Sequence, residues 1–316
     1  MNRSFLKYIG CAFAVLAGVA VVDKVAGAGM NRLLDAVPVT QDIGKGRFAI
    51  REVETDVVIV GSSRAAHHYV STMIADSLGC SVYNVGRDGC FFSDNLCVTN
   101  AILDRYSPEM IVLEVANDCL DERAKTNPEA MFPYYWNSQY IKDVIDSDVG
   151  WKANVQMLST LYRYNATSFR TFGYGIKGLL KGKVEDPLCG QTPLKIEKRR
   201  APLLLKKEQN DDNEFTISDR KRSQLKALLE KCKKQGVEII LVCSPIYRIS
   251  SVNHVGNRAL ASLCREAGVE YLDFSQEPIF LEHSEWFCDE SHMNYVGANE
   301  YTKFFINKLN DISQRP

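Results

Sequence analysis

Short hydrophobic runs alternate with segments of helical periodicity over most of the chain. Runs such as Val57-Val-Ile-Val60 carry no charge and are rich in β-branched residues, which is typical of strands buried on both faces of a sheet. The segments between them have the apolar spacing of helices, and several end at a glycine. The predicted strands cover 56–61, 81–86, 110–116, 237–243 and 269–273, and the predicted helices cover 64–78, 91–106, 217–235, 253–266 and 296–311.

Strands that alternate with helices form βαβ crossovers, and these crossovers place helices on both faces of a parallel sheet. The pattern therefore predicts an α/β fold, a flavodoxin-like three-layer sandwich with a central five-stranded parallel sheet in the order 2-1-3-4-5. An insertion at about 121–215 separates the third strand from the helix at 217. Its segment 195–207 holds six basic residues and one Glu, and is either a solvated segment or a docking patch for an anionic glycan or lipid headgroups.

The amino terminus is a separate element. Ile9–Val22 contains fourteen uncharged residues, and counting from Phe5 gives eighteen, or about 27 Å of helix against a hydrocarbon core of roughly 30 Å. This length suffices for a thin membrane, and Asp23 and Lys24, which follow the apolar region directly, favour an uncleaved anchor with the basic amino end in the cytoplasm and the rest of the chain exported. A signal peptide cleaved near Ala26-Gly-Ala28, and a buried helix of a cytosolic protein, stay open as alternatives. The predicted domains are 1–28 as anchor or signal peptide, 29–54 as a membrane-proximal connector, and 55–316 as one globular domain with the insertion.

The composition removes several classes of function. The 316 residues include 38 Lys+Arg and 39 Asp+Glu, so the net charge of -1 offers no electrostatic case for nucleic-acid binding. Ten cysteines without a C-x-x-C pair exclude a zinc knuckle or a thioredoxin-type motif, although they leave disulfide formation open. Five dispersed histidines offer no metal site and no phosphate-loop motif occurs, so neither a metal nor a cofactor is expected.

Polar residues follow the strands at one edge of the predicted sheet, which is where open parallel sheets bind ligands. The first strand leads into the turn Gly61-Ser-Ser-Arg64, and the second leads into Asn84-Val-Gly86. Asn117-Asp118 follows the third strand, and Asp289 and His292 come after the fifth. Hydroxyl, carboxamide, imidazole and carboxylate groups are thus expected to meet at this edge.

These groups are the ones that acyl transfer through a serine requires. Ser63 needs an imidazole to accept its proton, and His292 would do this while Asp289 holds the imidazole in the correct tautomer. The oxyanion of the tetrahedral state would be bound by the amides of Ser63 and Gly86 and by the side chain of Asn117. Catalytic roles are therefore predicted for Ser63, His292 and Asp289.

Most of these residues also have a structural interpretation. Ser62 and Ser63 could cap the following helix, a common position for serine, and Asn117 could be a turn residue. His67 and His68 lie on the first helix rather than at a strand end, so they are interpreted as packing or surface residues.

The four motifs resemble the sequence blocks of the SGNH, or GDSL-like, hydrolase superfamily. Gly61-Ser-Ser-Arg64 is similar to the Gly-Asp-Ser-Leu block with Ser63 as nucleophile, and Asn84-x-Gly86-x-x-Gly89 is similar to the second block. Asn117-Asp118 and Asp289-x-x-His292 match the third and the last. Ser62 replaces the family's Asp and Val115 replaces its glycine before Asn-Asp, which separates the chain from typical secreted lipases. The resemblance covers about 55–120 and 217–312.

The resemblance implies an SGNH-like hydrolase domain at 55–316, acting as a serine esterase or O-acyltransferase on acyl, above all acetyl, esters of cell-envelope or secreted polysaccharide. Together with the anchor, the motifs look like the membrane-anchored bacterial branch, which implies the inner membrane with a periplasmic catalytic domain. The implied partners are an acylated carbohydrate substrate, the membrane and an integral-membrane acyltransferase, but no nucleic acid. The alternative is a non-catalytic accessory protein that binds such an acyltransferase or the polymer.

Overall fold

The computed structural model describes residues 3–182, 184–196, 203, 205–207, 215–249 and 252–313. The chain forms two compact units, each built from two stretches of sequence. The first unit comprises Met1–Arg47 and Pro128–Glu185, and the second comprises Phe48–Asn127 and Asp186–Pro316. Most of the predicted insertion therefore shares a unit with the amino-terminal segment. Its basic stretch at 195–207 lies largely outside the described residues.

The core of the second unit is a five-stranded sheet in which neighbouring strands are parallel. Counted along the chain within this sheet, the strand order is 2-1-3-4-5, so the predicted α/β fold and its topology are confirmed. The strands are β1 (Val57–Val60), β2 (Val82–Asn84), β3 (Met110–Glu114), β4 (Glu238–Cys243) and β5 (Glu270–Asp273). A separate pair of two-residue strands joins Lys206–Lys207 to Arg248–Ile249.

Apolar residues on both faces of the sheet explain why helices cover it on either side. Ile59 and Val112 belong to a buried cluster with Tyr301 and Phe305. The alternate residues of the same strands, such as Val58, are buried as well. The helices are α1 (Arg3–Ala36), α2 (Asp42–Arg51), α3 (Ser63–His68), α4 (Ser71–Leu78), α5 (Phe92–Leu103), α6 (Gln139–Val149), α7 (Lys152–Gln156), α8 (Ser168–Lys181), α9 (Asp219–Gln235), α10 (Val252–Ala267), α11 (Pro278–Leu281) and α12 (Tyr295–Ser313).

The predicted helix at 64–78 is in fact two helices, α3 and α4. Tyr69 leaves the helical conformation with φ -106° and ψ 118°. At this break the hydroxyl of Thr302 donates to the carbonyl of His68 and accepts the amide hydrogen of Val70 at 3.0 Å. A side chain from α12 therefore satisfies backbone groups that a continuous helix would pair internally. This partner is more than two hundred residues away, so local periodicity could not reveal it.

The first unit is organised around α1. Among the described residues, α1 is the one helix long and apolar enough to cross a membrane, judged by length and composition. Its large apolar side chains from Phe5 to Val25 are exposed. The predicted apolar run at 9–22 lies within α1, which continues without a break to Ala36 and so includes the start of the predicted connector.

All ten cysteines lie within the described part of the chain, and each is a free thiol. The possibility of a disulfide, which the sequence left open, is therefore not realised in this structure.

Candidate active site

Ser63 is presented at the carboxyl end of β1, where a tight turn leads into α3. The turn needs a glycine before the serines, because a Cβ atom at Gly61 would lie 2.7 Å from the Cβ atoms of Ala65 and Glu114. Ser63 is the first residue of α3, where backbone N–H groups lack partners within the helix. The side chain of Ser62 forms no capping hydrogen bond, so the helix-cap interpretation does not apply to it.

The hydroxyl of Ser63, the imidazole of His292 and the carboxylate of Asp289 form a continuous chain of hydrogen bonds. Ser63 Oγ lies 2.7 Å from His292 Nε2. His292 Nδ1 lies 2.8 Å from Asp289 Oδ2 and 3.0 Å from Oδ1. Because an ionised carboxylate only accepts hydrogen bonds, Nδ1 carries the proton and Nε2 is left to accept the hydroxyl proton of Ser63. This is the tautomer that a general base needs.

Asp289 is held in its charged form by its own loop. Burial raises the pKa of this carboxyl, but hydrogen bonds from the His292 ring and from the backbone outweigh it and leave the pKa below its usual value. The backbone donors are the amides of Ser291, at 2.7 Å, and His292, at 2.9 Å, both to Oδ1. Asp289 therefore stays ionised at neutral pH and keeps the imidazole of His292 oriented.

Asn117 lies in the turn after β3 and lines the same cleft as Ser63 and His292. Its Nδ2 is buried and has no hydrogen-bond partner among the described residues. Its Oδ1 accepts the thiol hydrogen of Cys243, from the end of β4. Because the carbonyl side of the carboxamide is engaged, the amide hydrogens are the groups left to bind a ligand.

Gly86 is placed differently from the other predicted oxyanion donors. Its amide hydrogen is donated to Asn84 Oδ1 at 2.9 Å. The residue is also packed tightly, since a Cβ atom here would lie 2.6 Å from the backbone nitrogen of Ala66. The glycine thus allows the loop after β2 to approach α3 closely. The oxyanion role of Gly86 stays a prediction, and it would require this amide to leave Asn84.

Two cavities adjoin Ser63, and Ser62, Ala116 and Asp118 line both of them. One, of about 350 Å³, contains His292 and Asn117. The other, of about 480 Å³, extends along the loop that precedes α5. The first cavity is further lined by Ser62, Asp118, Ile246, Arg248 and Ser291, and the second by Cys90, Phe91, Phe92, Asn95, Val115, Cys119 and Arg123.

His68 connects the loop that carries His292 to the core. The sequence did not indicate this contact. Its Nε2 accepts the amide hydrogen of Met293, the residue after His292, at 3.1 Å. Its Nδ1 donates to the hydroxyl of Ser244 at 2.9 Å, and this hydroxyl donates to Glu114 Oε1 at 2.9 Å. Burial, assisted by the charge of Arg64, holds the pKa of His68 well below its usual value, which keeps the ring neutral. His68 is therefore a packing residue, as predicted, that also positions the loop bearing His292.

Arg64 and Glu114 form a buried pair beneath Ser63. The guanidinium lies 3.2 Å from Glu114 Oε1 and donates to the carbonyl of Val115 at 2.6 Å. The second carboxylate oxygen accepts the hydroxyl of Tyr69 at 2.5 Å. This network links α3 to the end of β3, so it fixes the turn that carries Ser63 relative to the turn that carries Asn117. No motif in the sequence marks Glu114 for this role.

His67 also lies near the site. Its ring packs edge-on against that of His292, with 5.7 Å between the ring centroids. Its Nδ1 donates to the carbonyl of Thr192 at 2.6 Å, and Nε2 lies 2.9 Å from Asp88 Oδ1. His67 is thus a buried residue that packs against the ring of His292, in agreement with its interpretation as a packing residue.

No family model and no curated protein matches this chain. Solved structures similar to it include a lipase/acylhydrolase from Enterococcus faecalis, with 11% identity over 80% of this chain and 94% of that one, at a TM-score of 0.41. A putative acylhydrolase from Bacteroides fragilis has 12% identity over 83% of this chain and 95% of that one, at a TM-score of 0.41. A mutant acetyl-xylooligosaccharide esterase from Geobacillus has 9% identity over 81% of this chain and 94% of that one, at a TM-score of 0.40. At these values the likenesses carry no conclusion about activity.

Proposed function

We propose that this protein is an exported serine esterase or O-acyltransferase of the SGNH type, acting on acyl, above all acetyl, esters of cell-envelope or secreted polysaccharide. The observation that carries the proposal is the hydrogen-bonded chain of Ser63, His292 and Asp289 in an open cleft. A hydroxyl at 2.7 Å from an imidazole whose other nitrogen faces a carboxylate is the arrangement that makes serine nucleophilic. The resemblance of four sequence motifs to SGNH hydrolases supports the same assignment.

The reaction follows from these contacts. Ser63 Oγ attacks the ester carbonyl while His292 Nε2 takes the hydroxyl proton, and Asp289 stabilises the resulting imidazolium. The tetrahedral oxyanion is bound by the amide of Ser63 and by Nδ2 of Asn117. Collapse of this state breaks the bond to the alcohol, to which His292 returns the proton, and leaves the acyl group on Ser63. Water or a sugar hydroxyl then attacks the acyl-enzyme by the same steps in reverse.

The two cavities suggest how an ester lies in the site. The departing alcohol must lie next to His292 Nε2, because that atom protonates it. The sugar therefore occupies the cavity that contains His292, where Asp118 and Arg248 provide polar groups. The acyl group then points into the second cavity, which is lined by Phe91 and Phe92. An acetyl group fills only a small part of that space, so larger acyl groups fit as well.

A second function is favoured by one observation. The amide of Gly86 is engaged by Asn84 Oδ1, so the described site offers fewer oxyanion donors than the sequence predicts. A protein with a weakened oxyanion site would bind an acylated polymer without turning it over efficiently. The alternative is therefore a non-catalytic accessory protein for polysaccharide or cell-wall acylation, which binds the polymer or an integral-membrane acyltransferase.

The two functions are separated by an assay of acyl transfer with the full chain in detergent. An acetylated oligosaccharide is supplied with and without an excess of an isotopically labelled, unacetylated oligosaccharide. An esterase releases acetate, and an acyltransferase produces the acetylated, labelled acceptor. If neither product forms although the acetylated oligosaccharide binds, the accessory function is the correct one.

In the same assay we expect Asn117→Ala to lower kcat by about 100- to 1000-fold with little change in KM. The reason is that Nδ2 of Asn117 meets a charge that exists only in the tetrahedral state. Asn165→Ala, at an exposed turn position in the first unit, is the matched control and should leave both constants unchanged. A change in KM alone would make Asn117 a ground-state binding residue and would contradict the oxyanion assignment.

We further propose that α1 anchors the protein in a bacterial inner membrane, with the unit that carries Ser63 on the periplasmic side. Contacts made by residues before and within the Ala26-Gly-Ala28 sequence support an uncleaved anchor. The carboxylate of Asp23 accepts the amide hydrogen of Thr160 at 2.8 Å, and a Cβ atom at Gly27 would lie 2.4 Å from the Thr160 side chain. Cleavage after Ala28 would remove these contacts from the first unit.

Topology is tested with alkaline phosphatase fused to the carboxy terminus of the full chain. We expect phosphatase activity in cells, because the enzyme folds only after export, and we expect the fusion to stay with membranes after a carbonate wash. A fusion that lacks residues 1–28 should be inactive. Recovery of a soluble species that begins near Met30 would show that the segment is a cleaved signal peptide instead.

A further inference from the structure

Large apolar side chains are exposed on the first unit, away from the apolar run of α1 itself. Leu158 and Leu161 are 68% and 43% exposed, and Phe169 and Phe172 are 92% and 58% exposed. These four residues, called the collar below, come from the loop after α7 and from the first turns of α8. Clustered apolar side chains of this size, one of them almost fully exposed, are uncommon on the surface of a soluble protein, so the collar indicates an apolar partner.

Hydrogen bonds fix the loop half of the collar at the end of the apolar run of α1. Lys24 Nζ donates to the carbonyl of Leu158 at 2.8 Å and to Thr160 Oγ1 at 3.0 Å. The carboxylate of Asp23 accepts the amide hydrogen of Leu161 at 3.1 Å. These are the first charged residues after Ile9–Val22, and the loop satisfies both of them. The loop therefore lies at the depth where α1 would leave the hydrocarbon.

The helical half of the collar is fixed by close packing of α8 on α1. A Cβ atom at Gly175 would lie 2.6 Å from the carbonyl oxygen of Leu33, and one at Gly178 would lie 1.8 Å from that of Ala36. Since both contacts advance by three residues, the two helices run in the same direction. By this register the Cα atoms of Phe169 and Phe172 lie about 8 Å and 12 Å beyond Val22 along α1. Because each headgroup layer is about 5–8 Å thick, Phe169 lies at its outer edge and Phe172 just beyond it.

The charges of α8 favour an anionic lipid surface. The helix contains Arg170, Lys177 and Lys181, all exposed, and no acidic residue. Apolar and basic side chains on one helix are typical of segments that lie at a membrane interface, where lysine and arginine meet anionic headgroups.

We propose that the collar inserts into the interfacial region of the membrane that α1 crosses, with Arg170 and Lys177 against anionic headgroups. The proposal rests on α1 crossing a membrane and is independent of the reaction at Ser63. The collar continues the apolar surface of α1 at the level where the bilayer ends, which distinguishes a lipid partner from a docked protein. The first unit is then attached at two places, by α1 and by the collar, and this holds it against the membrane surface.

The test is photochemical labelling of the full chain in nanodiscs of phosphatidylcholine and phosphatidylglycerol that contain a diazirine-bearing phospholipid. After irradiation, we expect lipid adducts on peptides from 158–181 as well as on those from the apolar run of α1. Ile279, an apolar residue of the second unit that is 46% exposed, provides the internal control and should remain unlabelled. Adducts confined to α1 would overturn the proposal, because a collar that docks on another protein stays in water when only lipid is present.

Two variations make the test sharper. The double substitution Phe169→Glu and Phe172→Glu should remove the adducts from 158–181 while labelling of α1 persists, whereas Ile279→Glu should change neither. Replacing phosphatidylglycerol by phosphatidylcholine should lower labelling of α8 more than labelling of α1. Equal labelling in both lipid mixtures would contradict the role given to Arg170 and Lys177. Labelling and ester turnover are separate readouts, so failure of the collar proposal leaves the assignment of Ser63 intact.

Discussion

Ser63→Ala should lower kcat for ester turnover by about a million-fold and leave the fold unchanged. In the proposed reaction the Ser63 hydroxyl oxygen forms the bond to the acyl group. Among the described residues, no other hydroxyl lies within hydrogen-bond distance of His292 Nε2. Removing it leaves only binding and the oxyanion donors, so some residual catalysis over water should persist. A fluorophosphonate should label the wild-type chain on a peptide that contains Ser63, and it should not label the variant.

The neighbouring serine is the matched control for this experiment. Ser62 lines the same cavities as Ser63, but the hydroxyl bound to the imidazole of His292 is that of Ser63, and the Ser62 side chain does not cap α3. Ser62→Ala should therefore reduce turnover far less. Fluorophosphonate found on Ser62, or an equal loss in both variants, would show that the first motif is aligned one residue out of place.

His292→Ala should cause a loss comparable to that of Ser63→Ala, because the serine cannot lose its proton without a base. Asp289→Asn should cost less, about ten-thousand-fold, since its main effect is to favour the wrong tautomer of His292. His283→Ala is the control, as His283 is a partly exposed histidine of the same carboxy-terminal segment that contacts Glu285 and stacks on Trp286. Rates are compared as kcat on one acetyl ester, with circular dichroism to verify the fold.

The depressed pKa of Asp289 adds a dependence on pH. A carboxyl whose pKa is lower in the folded protein than in the unfolded chain stabilises the fold above the unfolded value, and this contribution is lost as pH falls through the folded value. The wild-type protein should therefore lose more stability than Asp289→Asn when the medium is acidified below the ordinary aspartate range. An identical decline in both proteins would contradict the hydrogen-bonded, ionised state of Asp289.

The sheet was predictable because each strand carries its signal locally. Runs such as the one at 57–60 are buried on both faces, so their composition alone indicates a central parallel strand. The break between α3 and α4 was not predictable, because it depends on the hydroxyl of Thr302 from the last helix. Local patterns identify elements, whereas interruptions imposed by distant side chains become visible only in the folded chain.

The same distinction applies to the site. Ser63, Asn117, Asp289 and His292 were identifiable because strand ends converge at one edge and because short motifs surround them. The residues that hold them in place were not, since contacts such as His68 to the amide of Met293 join positions 225 residues apart. The engagement of Gly86 by Asn84 was equally invisible, although both residues belong to one motif. A sequence motif identifies the residues of a site, but it does not predict which acceptor each backbone amide binds.

The thiol of Cys243, which donates a hydrogen bond to Asn117, bears on the resistance of the site to oxidation. Cys243 is fully buried, and burial raises its pKa to about 12 despite the nearby charge of Arg64. Oxidants and alkylating reagents attack the thiolate, which is scarce at this pKa and has no solvent access. The hydrogen bond from Cys243 to the carboxamide of Asn117 is therefore expected to survive in an oxidising medium. Inactivation by a thiol reagent would then report damage at a more accessible cysteine, such as Cys80, rather than at Cys243.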